Sequence, residues 1–273
     1  MPLVLTLKHS PDVPLEVEGI TPDLLQSKSL ADIERVPIFQ GNRQLPLGEW
    51  FSVAGNPTEE SIAWEGDLSR VHWIGAKMAS GRMTIHGDCG RHMGSEMSGG
   101  EIHVLGSAGD FLGCEMHGGL IRVRGHAGDL VGGAYRGSAR GMTGGTIIIG
   151  GNAGHEIGHT LRRGLIAVGG SAGELAGFNM LAGSIVLCGQ AGIRPGAGMK
   201  RGTIAFLGDQ PPRLLPSFRR ACRCRPEALL LLCRHLRTLD FQIADEVMTS
   251  SYDLYSGDLL EGGRGEILLR VAA

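Results

Sequence analysis

Apolar and polar positions recur along most of the chain with a period of 19 residues. Seven repeats begin with a large apolar side chain, which we call the start row: Met78, Met97, Met116, Met142, Leu161, Met180 and Met199. The intervals between these residues are 19, 19, 26, 19, 19 and 19. One repeat therefore carries a seven-residue insertion, and the shared period indicates an architecture of stacked repeats.

Within each repeat, a glycine follows the start residue by three positions, and two apolar residues separated by one position come next. These residues form two inner rows: Met83, Ile102, Ile121, Ile147, Ile166, Ile185 and Ile204, then Ile85, Val104, Val123, Ile149, Val168, Leu187 and Phe206. Alternation flanked by glycine predicts a short strand with two inward side chains. Such strands bury themselves only by stacking in parallel, about 4.8 Å apart.

The predicted fold is therefore mainly β, a right-handed parallel β-helix with 19-residue coils. Hexapeptide helices need multiples of six residues, and the Leu/Asn pattern of leucine-rich repeats is missing. We assign the β-helix to residues 58–208, with Ile62 and Trp64 in a weaker first coil that has about two extra residues. Glycine is abundant, 45 of 273 residues, because each corner needs positive φ or close backbone approach.

The flanks do not repeat, and we expect them to cover the open strand edges at the ends of the helix. Residues 1–57 form a mixed N-terminal cap, with strands at 4–7 and 15–17 and a short helix over 21–35. Residues 209–273 form a C-terminal extension. It contains an amphipathic helix at about 226–240 and a final strand at 265–271.

The middle residue of each strand, which points outward, changes character along the chain. This outer row begins with polar residues, Thr84, His103 and Arg122, and continues with apolar residues, Ile148, Ala167, Val186 and Ala205. An apolar stripe on an outer face is usually covered. Two covers remain open, the chain's own C-terminal segment or a partner protein.

The seven-residue insertion adds Tyr135 and Arg136 to a loop, residue types that are favoured at interfaces, although a solvated loop is an equal alternative. The candidate interface residues are Ile148, Ala167, Val186, Ala205, Tyr135 and Arg136.

Composition narrows the possible partners. The net charge of −2 implies no nucleic-acid partner. The sequence has no 18-residue apolar stretch that would predict a membrane helix, and no signal peptide that would predict secretion. Six cysteines at irregular spacing do not resemble a disulfide framework, so we expect a reduced, cytoplasmic location.

Three patterns resemble chemical motifs but lack the required context. His155-Glu156-Ile157-Gly158-His159 matches the zinc motif H-E-x-x-H, which needs a helix, whereas these residues fall in a glycine corner. Cys222, Cys224 and Cys233 offer three thiols without a clear fourth ligand. The glycine-rich stretches do not lie in a βαβ unit. We therefore predict no catalytic, cofactor-binding or metal-binding residue in this chain.

The repeat M-x-x-G-x-I-x-V-x-G-x-A-G resembles the C-subunit of formylmethanofuran dehydrogenase, and it is shared with the β-helical domain of glutamate synthase. Gly41-Asn42 with Leu47–Phe51, and Tyr255–Asp258 with Gly262–Glu266, resemble the flanks of that C-subunit. The family has an archaeal and a bacterial branch. Arginine outnumbers lysine by 22 to 4 in this chain, which favours the bacterial branch.

The resemblance implies a non-catalytic scaffold in a formyltransferase/hydrolase complex of methylotrophic one-carbon metabolism, which oxidises formaldehyde to formate. It implies that tetrahydromethanopterin, a methanofuran analogue and metal ions are bound on other subunits: amidohydrolase-like, formyltransferase and pterin-subunit-like chains.

Three alternatives stay open. The first is the C-subunit of an archaeal CO2-reducing formylmethanofuran dehydrogenase. The second is a glutamate-synthase-like interaction domain, which a start at Met1 disfavours. The third is an independent polysaccharide-acting β-helix enzyme, for which neither a charged cleft nor a secretion signal is visible.

Overall fold

The computed structural model describes residues 1–271, and this part of the chain is mainly β, as predicted. The strands are β1 Leu3–Leu7, β2 Leu15–Glu16, β3 Pro37–Gln40, β4 Arg43–Pro46, β5 Phe51–Ala54, β6 Ser61–Glu65, β7 Val71–His72, β8 Arg82–His86, β9 Glu101–Val104, β10 Leu120–Val123, β11 Thr146–Ile149, β12 Leu165–Val168, β13 Ser184–Leu187, β14 Arg201–Phe206, β15 Arg219–Cys224, β16 Ser251–Gly257 and β17 Arg264–Val271. The helices are α1 Pro22–Leu25, α2 Leu30–Glu34, α3 Leu47–Trp50, α4 Glu227–Thr238 and α5 Asp245–Thr249. None of the helices within residues 1–271 is long and apolar enough to cross a bilayer.

Thirteen strands form one large mixed sheet in the order β15-β16-β17-β14-β13-β12-β11-β10-β9-β8-β6-β1-β5. The strands from β8 to β14 pair in parallel with their neighbours, and antiparallel pairs occur only towards the two edges. A second sheet of four strands, in the order β4-β3-β2-β7, belongs to the amino-terminal region.

The register of the parallel strands follows the sequence repeat. Ile102 pairs with Ile121, 19 residues later, whereas Ile121 pairs with Ile147 across the insertion. Ile62 pairs with Met83 at a distance of 21 residues, so the first strand of the series carries the two extra residues that the sequence indicated. Outside the sheet, isolated parallel bridges connect small residues of successive repeats: Cys89, Ala108 and Ala127, then Ala153, Ala172 and Ala191.

The core lies behind the inner face of the sheet. Every residue of the start row and of the two inner rows is buried and belongs to one apolar cluster. Full burial of each such side chain stabilises the fold by about 1.5–3 kcal/mol. Gly113, which has a φ of +58°, shows why the turn at residues 110–115 needs glycine, because a Cβ atom there would lie 2.5 Å from Cδ1 of Ile147.

The amino-terminal region differs from the prediction in several elements, because β3, β4, α3 and β5 were not predicted. The single helix expected over residues 21–35 is wrong, because the chain forms two short helices, α1 and α2. Ser29 lies between them in extended conformation and accepts a hydrogen bond from the Asp32 amide at its Oγ, 3.2 Å away. A serine in this position starts a new helix. The expected strands are present as β1 and β2, and β1 joins the large sheet between β5 and β6.

The carboxyl-terminal region returns to the same sheet. Strand β17 extends the parallel series, since Ile267 pairs with Ile204 of β14. Strands β16 and β15, which the sequence analysis did not identify, then follow in antiparallel order. Helix α4 begins directly after Pro226, a residue that suits a helix start because it has no amide hydrogen to satisfy.

Candidate interaction surfaces

Four of the predicted interface residues lie side by side across β11 to β14. Ile148 pairs with Ala167, Ala167 with Val186, and Val186 with Ala205. All four are at most 3% exposed. They form an apolar cluster with the inner face of α4, whose buried members are Leu229, Cys233 and Leu236.

The apolar half of the outer row is therefore covered by the chain's own C-terminal segment. This corrects the expectation that Ile148, Ala167, Val186 and Ala205 themselves contact a partner, because their side chains are already occluded. The C-terminal segment is held by further burial, with Tyr252 fully buried and its hydroxyl donating to the Val247 carbonyl over 3.0 Å. A partner on this side of the molecule would meet the outer surface of α4.

Tyr135 of the insertion packs against a stack of rings from successive repeats. The imidazole of His92 lies between Trp73 and Phe111, with ring centroids 4.3 and 4.8 Å away. The Tyr135 ring lies 5.9 Å from Phe111, and its hydroxyl is 3.0 Å from Nδ1 of His92 and 2.6 Å from Oγ of Ser95. We call Trp73, His92, Phe111 and Tyr135 the aromatic stack.

Partial burial in the aromatic stack changes the acid–base chemistry of its members. Desolvation, with the nearby His72 and Arg91, lowers the pKa of His92 to about 4, so the ring is neutral at physiological pH. Desolvation also raises the pKa of Tyr135 well above its usual value. These two groups form hydrogen bonds in their neutral forms, a pattern that suits anchoring the loop.

The insertion loop is thus fixed at one end and exposed at its tip. The Tyr135 amide donates to Oε1 of Glu115 over 2.9 Å, whereas residues 136–140 are exposed. The Tyr135 ring packs mostly against side chains of its own chain, whereas Arg136 is exposed to solvent. That both contact a partner stays a prediction.

The H-E-x-x-H residues do not form a helix. Residues 155–160 are a bend and a turn in which Glu156 has a φ of +55°. His155 accepts a hydrogen bond at Nδ1 from the Glu174 amide over 3.0 Å, and Nδ1 of His159 lies 3.4 Å from Oε2 of Glu156. The helical context of a zinc motif is therefore missing.

Comparisons with known proteins agree on one family, although no family model matches the chain. The C-subunit of the molybdenum-containing formylmethanofuran dehydrogenase 1 from Methanothermobacter thermautotrophicus is 44% identical over 91 residues, 33% of this chain and 23% of that protein. The C-subunit of the tungsten-containing formylmethanofuran dehydrogenase 2 from Methanothermobacter wolfeii is 39% identical over 90 residues, 32% of this chain and 33% of that protein. The chain thus spans about a quarter to a third of the length of these curated relatives.

A solved structure matches over the whole length. A chain in the crystal structure of the formyltransferase/hydrolase complex from Methylorubrum extorquens, in complex with methylofuran, is 33% identical with a TM-score of 0.90. The match covers 98% of this chain and 100% of that one. This chain belongs to the C-subunit family of formylmethanofuran dehydrogenase.

Two buried cysteines of this C-subunit family member have thiols of low acidity. Burial raises the pKa of Cys233 to about 11 and that of Cys89 to about 12, which keeps both thiols protonated. Cys222 is exposed on β15. Within residues 1–271, no group of three or more His, Cys, Asp or Glu side chains is arranged to hold a metal ion.

Two ladders of polar side chains on this C-subunit family member were missed by the sequence analysis. In the first ladder, each side chain accepts a hydrogen bond from the backbone amide one repeat later: Asp88, Ser107, His126, Asn152 and Ser171. A second ladder three residues further along does the same: Asp110, Asp129 and His155. The signal was present for the first ladder, because five successive repeats have an acceptor side chain at the same place.

Proposed function

We propose that this chain is a scaffolding, non-catalytic subunit of a formyltransferase/hydrolase complex in tetrahydromethanopterin- and methanofuran-linked one-carbon metabolism. The observation that carries this proposal is the match to a chain of such a complex, which extends over 98% of the present chain at a TM-score of 0.90. A scaffold also suits a chain in which polar side chains serve mainly to bridge repeats.

We further propose that the parallel strands are one face of a right-handed β-helix with 19-residue coils. The register of 19 residues between β9 and β10, and between β11 and β14, supports this interpretation, as do the isolated bridges at the alanine corners. In this view residues 1–57 cap one end, residues 58–208 form the helix, and residues 209–271 extend it. The last two residues of the predicted extension, 272 and 273, lie outside the described residues.

The reaction would take place on the partners. We propose that amidohydrolase-like, formyltransferase and pterin-subunit-like chains bind the methanofuran analogue, tetrahydromethanopterin and metal ions, and that the present chain holds them in a fixed arrangement. The solved complex contains methylofuran, which supports a methanofuran analogue as its carrier.

The second candidate is the C-subunit of an archaeal-type formylmethanofuran dehydrogenase. It is favoured by the 44% identity to the molybdenum-containing relative, a higher value than for the bacterial chain but over only 91 residues. The bacterial complex remains the better proposal because its match includes both flanks.

Purification of the tagged chain from its own cells tests the proposal. We expect formyltransferase-like and amidohydrolase-like chains to co-purify in constant ratio, and the preparation to transfer and hydrolyse formyl groups. Stoichiometric molybdenum or tungsten by mass spectrometry would instead identify the dehydrogenase. Catalytic activity of this chain alone, or its purification without partners, would contradict a scaffold role.

A further inference from the structure

Strand β15 leaves one side of the large sheet open. It is the last strand in the sheet order and pairs only with β16, in antiparallel register. Within residues 1–271 no strand pairs with its other side, and Arg219 to Arg223 are exposed. An open edge of this length offers unpaired backbone amide and carbonyl groups to an incoming extended segment.

This edge is basic. Asp253 accepts hydrogen bonds from Arg220 over 2.7 Å and from Arg223 over 2.8 and 3.1 Å, so one carboxylate serves two guanidinium groups. Within residues 1–271, Arg219 and Arg225 have no carboxylate at ion-pair distance. Residues 213–225 contain five arginines and no acidic residue: Arg213, Arg219, Arg220, Arg223 and Arg225.

The edge continues into a groove on the outer surface of α4. This groove of about 410 Å³ is lined by Arg225, Glu227, Leu230, Leu231 and Arg234. Leu231 is 61% exposed although its helix is otherwise amphipathic, with its apolar face on the sheet. The groove thus combines an exposed leucine, which offers an apolar anchor point, with two arginines and one glutamate.

We propose that the β15 edge and the α4 groove together dock an acidic, extended segment of another subunit, which adds a strand to the sheet and inserts an apolar side chain beside Leu231. The inference rests on the proposed function, since the segment belongs to a partner in the complex. A second copy of this chain is a poor occupant, because two arginine-rich edges repel each other. The open strand edge and the leucine favour a polypeptide over a nucleic acid.

Hydrogen–deuterium exchange on the assembled complex and on the free chain tests the docking directly. We expect the amides of residues 219–225 that do not bond to β16 to exchange at least about tenfold more slowly in the complex. A complex that assembles without this protection overturns the docking inference and leaves the proposed function standing. Failure of the wild-type chain to assemble overturns both. Protection by single-stranded RNA, and not by the partner chains, also rejects the inference.

Charge reversal provides a matched second measurement. Arg219→Glu with Arg234→Glu should weaken association by about tenfold or more and reduce its salt dependence. Arg162→Glu with Arg163→Glu makes the same change in net charge on the repeat that begins at Leu161 and should leave association unchanged. Equal weakening by both pairs would show a general charge effect and overturn the proposed site. Circular dichroism confirms that each variant is folded.

Discussion

The inner and outer faces of the parallel strands differ in how freely their residues vary. The inner position after each glycine is isoleucine in six of seven repeats, whereas the outer row runs from Thr84 through Arg122 to Val186. An inner side chain packs against its own counterparts in adjacent repeats, so its size and shape are constrained at every step. The polarity that is tolerated at an outer position depends on whether solvent or another segment covers it, and this cover changes along the sheet.

The change in the outer row coincides with the start of its cover. Nη1 of Arg122 donates to Oδ2 of Asp240, two residues after α4 ends, over 3.0 Å. From Ile148 onward the row is buried with α4, while Thr84 and His103 are only partly buried. The polar half and the apolar half are therefore two different environments on one face of the sheet.

The largest effect is expected from a charge in the apolar half. Val186→Asp should lower the free energy of unfolding by about 4 kcal/mol, because it buries an unpaired carboxylate between the sheet and α4. Urea denaturation measures the loss, and limited proteolysis should release the C-terminal segment first. Thr84→Asp, at the equivalent place in the polar half, should change stability by less than about 0.5 kcal/mol. Equal losses would show that the two halves do not differ.

The inner rows should respond to size as strongly as the outer row responds to charge. Ile166→Ala should cost about 3 kcal/mol, because it leaves a cavity between the neighbouring repeats that the corners cannot close. Ile193→Ala removes the same atoms from a side chain that is 53% exposed, and its cost should be much smaller. Thermal unfolding compares the two variants, and a similar shift in Tm for both would argue against a tightly packed interior.

The aromatic stack should make stability depend on pH. The pKa of His92 is about 4 in the fold and about 6.5 when unfolded, so the unfolded chain binds the proton more tightly. Stability should therefore be full above pH 6.5 and fall between pH 6.5 and 4. For this half-buried ring the loss is on the order of 1 kcal/mol after allowance for solvent screening.

His92→Phe keeps a ring between Trp73 and Phe111 and removes the titrating group. Urea midpoints at pH 7 and pH 5 should then differ less than in the wild-type chain. His72, whose pKa is also lowered by desolvation and by Arg91, leaves a residual slope in the variant. An unchanged slope would assign the pH dependence to other groups.

The polar ladders should show the smallest effect. His155→Ala leaves the Glu174 amide without its protein acceptor, and at this exposed site the cost should be about 0.5–1 kcal/mol. His155→Asn keeps a short acceptor, as Asn152 does in the first ladder, and should recover most of the loss. Amide exchange at Glu174 reports the bond directly. No difference between alanine and asparagine would mean that the ladder contributes nothing to stability.

Prediction from sequence succeeded in the repeats, where each inner side chain packs against its counterpart in the next repeat and is restricted in size and polarity. The glycines, the start row and the inner rows identified the strands and the position of the insertion, because the same local environment occurs in every repeat. It failed for α1 and α2, where a single serine cap divides a short apolar pattern. It also did not identify β3 to β5, β7, α3, β15 or β16. Arg219 to Cys224 lack alternating polarity because neither face of this exposed strand is deeply buried.

The sequence by itself determined the period, the inward rows and the polar-to-apolar change of the outer row, since periodic burial leaves a periodic pattern. Only the tertiary structure decided what covers Val186, which ring anchors the insertion loop, and which sheet edge stays open. These outcomes depend on contacts between residues far apart in the chain, such as Arg122 with Asp240. A local sequence pattern does not identify the partner in such a contact.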